Sequence, residues 1–257
     1  MAKRFNNLIE RIAQRRALRR WNRLAHAVAD MEIAGLRATR ARARALMGPL
    51  RVVAHVADGR LMLPMIGSDA IQSPANSDWT YRPEIWRGPL TPHGMAAVRN
   101  KAKLGGEASV FHDCKISELT LRQIRNTRER DLAPFGLKMD VFKFDGSYLS
   151  LVLNLPDTAV QGLKKKHLFR MDAIVEMEKP LEIFARLNIK HGPNTEQIVR
   201  ELPLNQDEVM VEFDLAYTRL NEKRAERIWI ELIFEGPQMN QIILRDITFS
   251  RRPRAEL

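Results

Sequence analysis

Met139-Asp-Val-Phe-Lys-Phe144, then Asp145-Gly146, then Tyr148-Leu-Ser-Leu-Val-Leu-Asn-Leu155 is the stretch that decides the fold. In its second half Leu149, Leu151, Leu153 and Leu155 alternate with Tyr148, Ser150 and Asn154. A period of two puts the leucines on one face, as in a strand buried on one side only. Asp-Gly supplies the positive φ of a tight turn, so the two runs form a hairpin.

Working outward, the same alternation recurs. Phe169, Met171, Ala173, Val175 and Met177 form one run, followed by Ile183, Ala185, Leu187 and Ile189, and then by Val209, Val211, Phe213, Leu215 and Tyr217. Ile228, Ile230, Leu232 and Phe234 form another, and Ile242 to Phe249 is apolar on both faces, which reads as a more central last strand. Ser117 to Arg125 reads as a helical turn or a strand, and Asp157 to Lys166 as a short helix capped by Asp157. Eight to ten half-buried strands with short turns and little helix predict a mainly β protein, an antiparallel, jelly-roll-like β-sandwich, over a parallel α/β sheet.

Upstream, Phe5 to Met47 is dominated by Ala, Leu and Arg, which are good helix formers. The stripe Phe5, Leu8, Ile9 and Ile12 gives way to Arg15, Arg16, Arg19, Arg20 and Arg23 on the same arc, while Leu18, Trp21, Leu24 and Val28 run opposite. This predicts amphipathic helix with a break near residues 13–17 and a stop at Gly48-Pro49. The domains expected are therefore a basic helical arm over 1–48 and a sandwich over 49–257. Within the second, Arg51 to Leu63 reads as a hairpin around Asp58-Gly59, and 67–98 as an ordered Pro/Trp-rich loop wrapping a surface.

Charge separates the two parts. Residues 1–51 carry 13 Lys+Arg against 3 acids, whereas the remaining 206 residues carry 29 against 28, so the arm holds nearly all of the net +11. An electrostatic partner therefore meets the arm: an anionic membrane, nucleic acid or a protein groove, with a helix packed on its own sandwich as the alternative. Hydrophobic residues at 45% support a core without staples. Cys114 is the only cysteine, which excludes a disulfide scaffold and agrees with a reducing compartment. With no apolar run of membrane-spanning length, the expected location is cytoplasmic, peripheral to the inner membrane through the arm. The arm is Arg-rich like a transit peptide but has no serine before Ser68.

The chain holds no Gly-rich phosphate loop, no Gly-x-Ser-x-Gly, no His-Glu-x-x-His and no Cys-x-x-Cys. His112-Asp113-Cys114 groups reactive side chains, but strand geometry lets only His112 and Cys114 converge, and a buried structural cysteine accounts for it. No catalytic residue, metal ligand or cofactor is expected. A glycan-acting enzyme would need two acids facing each other in space, which strand spacing does not reveal.

Binding is the expected function. On Glu182 to Lys190 the face opposite the apolar one carries Arg186 and Asn188, and Trp79 or Trp86 would supply stacking for a sugar. Gly192-Pro193 and Gly236-Pro237 are each followed three residues later by Gln-Ile and a β-branched residue. Turn chemistry alone explains such a match; the sharper reading is a pseudo-repeat whose Asn194, Gln197, Asn240 and Gln241 form a polar rim at one end of the sandwich.

Leu244-Arg-Asp246-Ile-Thr-Phe-Ser250 resembles the closing strand of galactose-binding-like and jelly-roll carbohydrate modules, with Arg245 departing from the pattern. That resemblance implies a carbohydrate partner. Phe111-His-Asp-Cys114, Gly146-Ser-Tyr-Leu-Ser-Leu151, Arg186-Leu-Asn188 and Ser250 to Leu257 resemble an alphaproteobacterial family of unknown function, which implies a bacterial protein and no particular activity. The expectation is a nonenzymatic binding protein, for carbohydrate through the sandwich, tethered by its arm; a nucleic-acid-associated or assembly protein is the alternative.

Overall fold

The structure is a computed structural model that describes residues 2–61, 70–128, 131–204 and 208–254. Residue packing divides the chain into Met1–Ala54 and His55–Leu257. In the first part α1 (Ala2–Ala27) is continuous, and the chain breaks at a 3-10 turn, Val28–Asp30, before α2 (Ile33–Leu61). The break expected near residues 13–17 thus lies later. Helix formers fill that stretch, and the apolar stripe changes sides without interrupting the backbone.

Gly48-Pro49 is likewise no stop, since α2 runs through Pro49. Proline forfeits one backbone bond and crowds the preceding turn, which bends a helix or ends it. Here helix continues, and it replaces the hairpin expected from Arg51; residues 62 and 63 of that expectation lie outside the described residues. Val52 and Val53 have no strand partner, so their β preference goes unused.

The second part is a sandwich of two antiparallel sheets. Its strands are β1 (Trp79–Tyr81), β2 (Gly94–Met95), β3 (Ala102–Leu104), β4 (Ala108–His112), β5 (Leu119–Arg125), β6 (Phe135–Val141) and β7 (Leu149–Asn154), then β8 (His167–Met177), β9 (Ile183–His191), β10 (Asn194–Glu201), β11 (Glu208–Asp214), β12 (Ala225–Phe234) and β13 (Asn240–Pro253). A four-residue helix, α3 (Glu84–Arg87), interrupts the Pro/Trp-rich segment. One sheet runs β11-β8-β13-β6-β5-β2 with β1 also on β13, and the other runs β10-β9-β12-β7-β4-β3. β6 and β7 lie in different sheets, so the segment around Asp145-Gly146 crosses between sheets and is not the turn of the expected hairpin: each run finds its partners elsewhere, β6 on β5 and β13, β7 on β4 and β12. From β6 onward the chain alternates between sheets except at the β9–β10 hairpin, and β13 returns between β6 and β8 just as β12 returns between β7 and β9. That winding, two nested Greek keys, is a jelly roll. Of Ser117 to Arg125, Leu119 onward resolves as strand β5, and only Asp157–Ala159 of the expected short helix is helical, as a 3-10 turn.

Alternation builds the core as expected: Leu149, Leu151 and Leu153 share the inner face of their sheet with Ile183, Ala185 and Leu187, and Phe169, Met171 and Ala173 come from the other sheet, all buried in one core. Strand β13 is apolar in both phases for a specific reason. Leu244 pairs with Val175 but Asp246 pairs with Ile174, so a bulge at Arg245 switches the inward phase from Ile242 and Leu244 to Ile247 and Phe249. The same bulge turns Asp246 to the outer face. There Arg82 reaches it with Nε donating to Oδ1 at 2.9 Å and Nη2 to Oδ2 at 2.8 Å.

His167 opens β8 almost completely buried. Its Nδ1 accepts from the Lys164 amide at 3.1 Å and its Nε2 lies 3.5 Å from Asp78 Oδ2. Burial pushes its pKa below the ordinary 6.5, against the pull of Asp78. An imidazole held neutral in the fold contributes stability above pH 6.5 that is lost as pH falls toward the lowered folded-state value. The melting temperature is expected to fall between pH 7.5 and 5, and His167→Asn to flatten that fall; an unchanged slope in the variant would assign it to other groups.

Candidate functional site

Outward-facing residues of the β10-β9-β12-β7 sheet align in cross-strand rows. Gln197 lies opposite Asn188, Asn188 opposite Trp229, and Trp229 opposite Asn154. Adjacent strands are about 4.8 Å apart, so Gln197, Trp229 and Asn154 present polar and aromatic groups at the scale of a sugar ring, while Asn188 between them is buried and ties the row together. The neighbouring row pairs Arg186 with Glu231, and the next pairs Phe184 with Ile233.

Hydrogen bonds hold the row rigid. Gln197 Nε2 donates to Asn188 Oδ1 at 2.9 Å, and Asn188 Nδ2 donates to the Arg186 carbonyl at 3.0 Å. The Arg227 guanidinium lies 5.2 Å from the centre of the Trp229 ring while its Nη2 donates to Asn154 Oδ1. Arg186 grips Glu231 through Nε and Nη2. The result is a flat indole–guanidinium pair flanked by oriented amides and an ion pair, with Trp229 half-buried. Planar surface plus fixed donors and acceptors is what recognition of a polyhydroxylated ring requires.

Of the residues expected from sequence, Arg186, Asn188 and Gln197 come together here. Trp86 does not: it is 0% exposed, and its Nε1 donates to the Leu244 carbonyl at 2.9 Å in the core. Trp79 lies on the other sheet, where β1 pairs with β13; its ring stacks on Tyr81 at 5.8 Å and its Nε1 donates to Thr158 Oγ1 at 3.1 Å. Neither tryptophan therefore faces the Arg186–Asn188 row. Trp229 takes that place, and its signal was legible, because it occupies the outward phase between Ile228 and Ile230.

The polar rim does not form. His191 pairs with Ala225 at one end of β9, and Ile183 pairs with Phe234 at the other, so the Gly192 and Gly236 turns lie at opposite ends of this sheet, about 26 Å apart along the strand. Asn194 is exposed at the first turn. Asn240 instead brackets Lys179, accepting from its N–H at 3.0 Å and donating to its carbonyl at 2.8 Å, and Gln241 donates to Asp140 at 3.0 Å. Both serve β13 as ties. His112 Nε2 bonds the Val98 carbonyl at 2.8 Å, and burial raises the Cys114 thiol above its ordinary value, away from the reactive thiolate. No cluster of metal-ligating side chains occurs among the described residues.

In the arm, Arg15, Arg16, Arg19, Arg20 and Arg23 are all exposed. So are the apolar residues Leu18, Ile33, Leu36, Leu46, Met47, Leu50, Val52 and Val53. No described helix is long and apolar enough to cross a membrane.

Three solved structures give the range of likeness. The enzymatically active domain of bacteriophage CBA120 tailspike protein 4 is 9% identical over 60% of this chain, at a TM-score of 0.41, and the match spans 21% of that domain's length. The family 11 carbohydrate-binding module from Clostridium thermocellum, in complex with a beta-1,3-1,4-mixed-linked tetrasaccharide, is 11% identical over 63% of this chain and 97% of its own, at 0.37. The CBM22-1 xylan-binding domain of Paenibacillus barcinonensis Xyn10C is 8% identical over 72% of this chain and 100% of its own, also at 0.37. The jelly roll is established by strand order and register, independently of these likenesses. No curated protein matches the sequence. Residues 1–257 match throughout the profile of one family, and the chain belongs to it: the family of unknown function DUF6478.

Proposed function

We propose that the sandwich binds carbohydrate across β10, β9, β12 and β7, over the Trp229–Arg227 pair, and that the arm holds the protein at an anionic surface. The row Gln197–Asn188–Trp229–Asn154 carries this reading. A pyranose ring has apolar C–H faces and an equatorial rim of hydroxyls. The first suits the indole and guanidinium planes, the second the amides of Gln197 and Asn154 and the Arg186–Glu231 pair, with buried Asn188 fixing Gln197 from below. Because each of these groups is already tied to a neighbour, binding costs little side-chain ordering.

The arm supports the second half. It combines exposed arginines with exposed large apolar residues, and only a surface offering both anions and an apolar layer satisfies the two together. Nucleic acid would use the charge and leave the apolar residues in water.

Affinity electrophoresis of the full chain in gels containing mixed-linkage β-glucan, xylan or galactan tests the platform. At least one polymer is expected to retard the protein, and Trp229→Ala to weaken retention about 30-fold, the effect of removing a buried binding anchor. Equal retention of the variant, or mobility unchanged by every polymer, overturns the platform. For the arm, sedimentation with phosphatidylglycerol vesicles is expected for the full chain and to be lost on changing Arg15, Arg16, Arg19, Arg20 and Arg23 to Gln; a nucleic-acid shift without vesicle binding would reassign the arm.

A further inference from the structure

The two sheets end in strands of very different reach. β1, β2 and β3 are two or three residues long, too short to template another strand, which leaves β11 and the eight-residue β10 as the extended edges among the described residues. Charge separates these two. The outer phase of β11 is Glu208, Met210, Glu212 and Asp214, and the carboxylates of Glu212 and Asp214 already hold Arg252 and Arg254, so a second copy laid on it finds no opposite charge to pair with.

The backbone of β10 has one bonded side and one open side. Leu202 N–H donates to the Ile183 carbonyl at 2.9 Å, in the register that sets Arg200 opposite Ala185 and Ile198 opposite Leu187, so the even-numbered residues bond to β9. Thr195, Gln197, Val199 and Glu201 therefore turn their N–H and C=O groups to the open edge. All four are exposed, Val199 by 47%. The even-numbered phase, which faces inward, carries Glu196, Ile198 and Arg200: opposite charges spaced evenly about an apolar residue that packs against the core. Neither charge has a strong counter-ion among the described residues. Glu196 lies 3.6 Å from the Nε2 of buried His191, and Arg200 donates only to carbonyls, Nη1 to Val199 at 3.1 Å and Nε to Glu212 at 3.2 Å.

We propose that β10 pairs antiparallel with β10 of a second copy of this chain, about a two-fold axis through Ile198. In that register Gln197 lies opposite Val199 and Thr195 opposite Glu201, each pair exchanging the backbone bonds that the open edge offers. Glu196 falls opposite Arg200 of the second copy in the intervening pairs, where side chains approach most closely, and symmetry makes this ion pair twice. Arg200 gives up the Val199 carbonyl to the amide of the facing strand and gains a carboxylate. Moving the axis to Gln197 or Val199 sets Glu196 against Ile198 or Leu202, and both ion pairs are lost. Charges that face inward on an edge strand ordinarily keep copies apart; opposite signs placed symmetrically about Ile198 select one partner and one register instead.

Pairing joins the two six-stranded sheets into one. The axis stands perpendicular to that sheet, so both Trp229 platforms open on the same side, roughly 24 Å apart across five strand spacings. A polymer that spans both gains from the second contact. That gain rests on the carbohydrate reading, whereas the dimer stands on the edge alone.

Sedimentation velocity of the full chain from micromolar to submillimolar concentration, without sugar, tests the pairing. A concentration-dependent monomer–dimer equilibrium is expected. Glu196→Arg and Arg200→Glu each set like charges opposite one another twice, and each is expected to weaken the dimer by about 30-fold. The double variant exchanges the signs and is expected to restore it. Val199→Pro removes an outward N–H that β9 does not use and is expected to abolish dimerisation; the charge series keeps the test valid if that variant fails to fold. A chain that stays monomeric throughout, a dimer that survives Val199→Pro or both single charge variants, or a double variant as weak as the single ones overturns the proposal.

Discussion

Asp246→Ala is expected to destabilise the sandwich by about 3–5 kcal/mol, the cost of leaving one member of a buried ion pair without the other. Arg82 is 2% exposed, and its guanidinium spans both oxygens of Asp246. Removing the carboxylate takes the bidentate partner away from a cation that is itself almost fully buried. Replacing both partners tells a different story, because two charges withdrawn from water return little net free energy: Arg82→Met with Asp246→Leu is expected to lie within about 1–2 kcal/mol of the wild type, or above it. Urea denaturation of the two proteins checks the pair. Equal loss in the single and double variants would mean that packing, and not charge, holds this corner.

Trp86→Ala is expected to cost about 3–5 kcal/mol, a large part of the roughly 5–15 kcal/mol that holds a domain together. The ring is fully buried, beside Ile85, on the short helix α3. Two losses combine there: the cavity left by the indole, and the donor to the Leu244 carbonyl. Trp86→Phe separates them, since it keeps most of the volume and orphans that carbonyl, for an expected cost of about 1–3 kcal/mol. The segment has a second clamp in Gln123, whose Nε2 donates to the Ile85 and Gly88 carbonyls at 2.6 and 2.8 Å. Trp229→Ala, on an outer face, is expected to shift the denaturation midpoint far less. A comparable loss of stability in both variants would place Trp229 in the core and remove it from the proposed site.

These tryptophans show where sequence reasoning reached and where it stopped. In β12 the alternation of Ile228, Ile230, Leu232 and Phe234 holds the signal that places Trp229 on the outer face, but the sequence reading takes Trp79 and Trp86 as the stacking residues and passes over it. Trp86 lies in a stretch with no period, where a four-residue helix and proline turns set the direction of the chain, so its burial had no local signature. Arg186, Asn188 and Gln197 share a face because β9 and β10 are a hairpin, whose register a short turn dictates.

Local pattern determined the mainly β class, the strands β6 to β9 and β11 to β13, the one-sided core and the basic arm, because alternation and composition act within a few residues; exposed β10 carries no such pattern. Only the tertiary structure decided the rest. The bulge at Arg245, which turns Asp246 outward, arises from pairing β13 with β8. Gly192-Pro193 and Gly236-Pro237 share turn chemistry yet lie at opposite ends of a sheet, because a turn's residues encode its backbone angles and not which end of the sandwich it closes. The buried ion pair joins Arg82 and Asp246, 164 positions apart, and such a meeting exists only once the chain has folded back on β13.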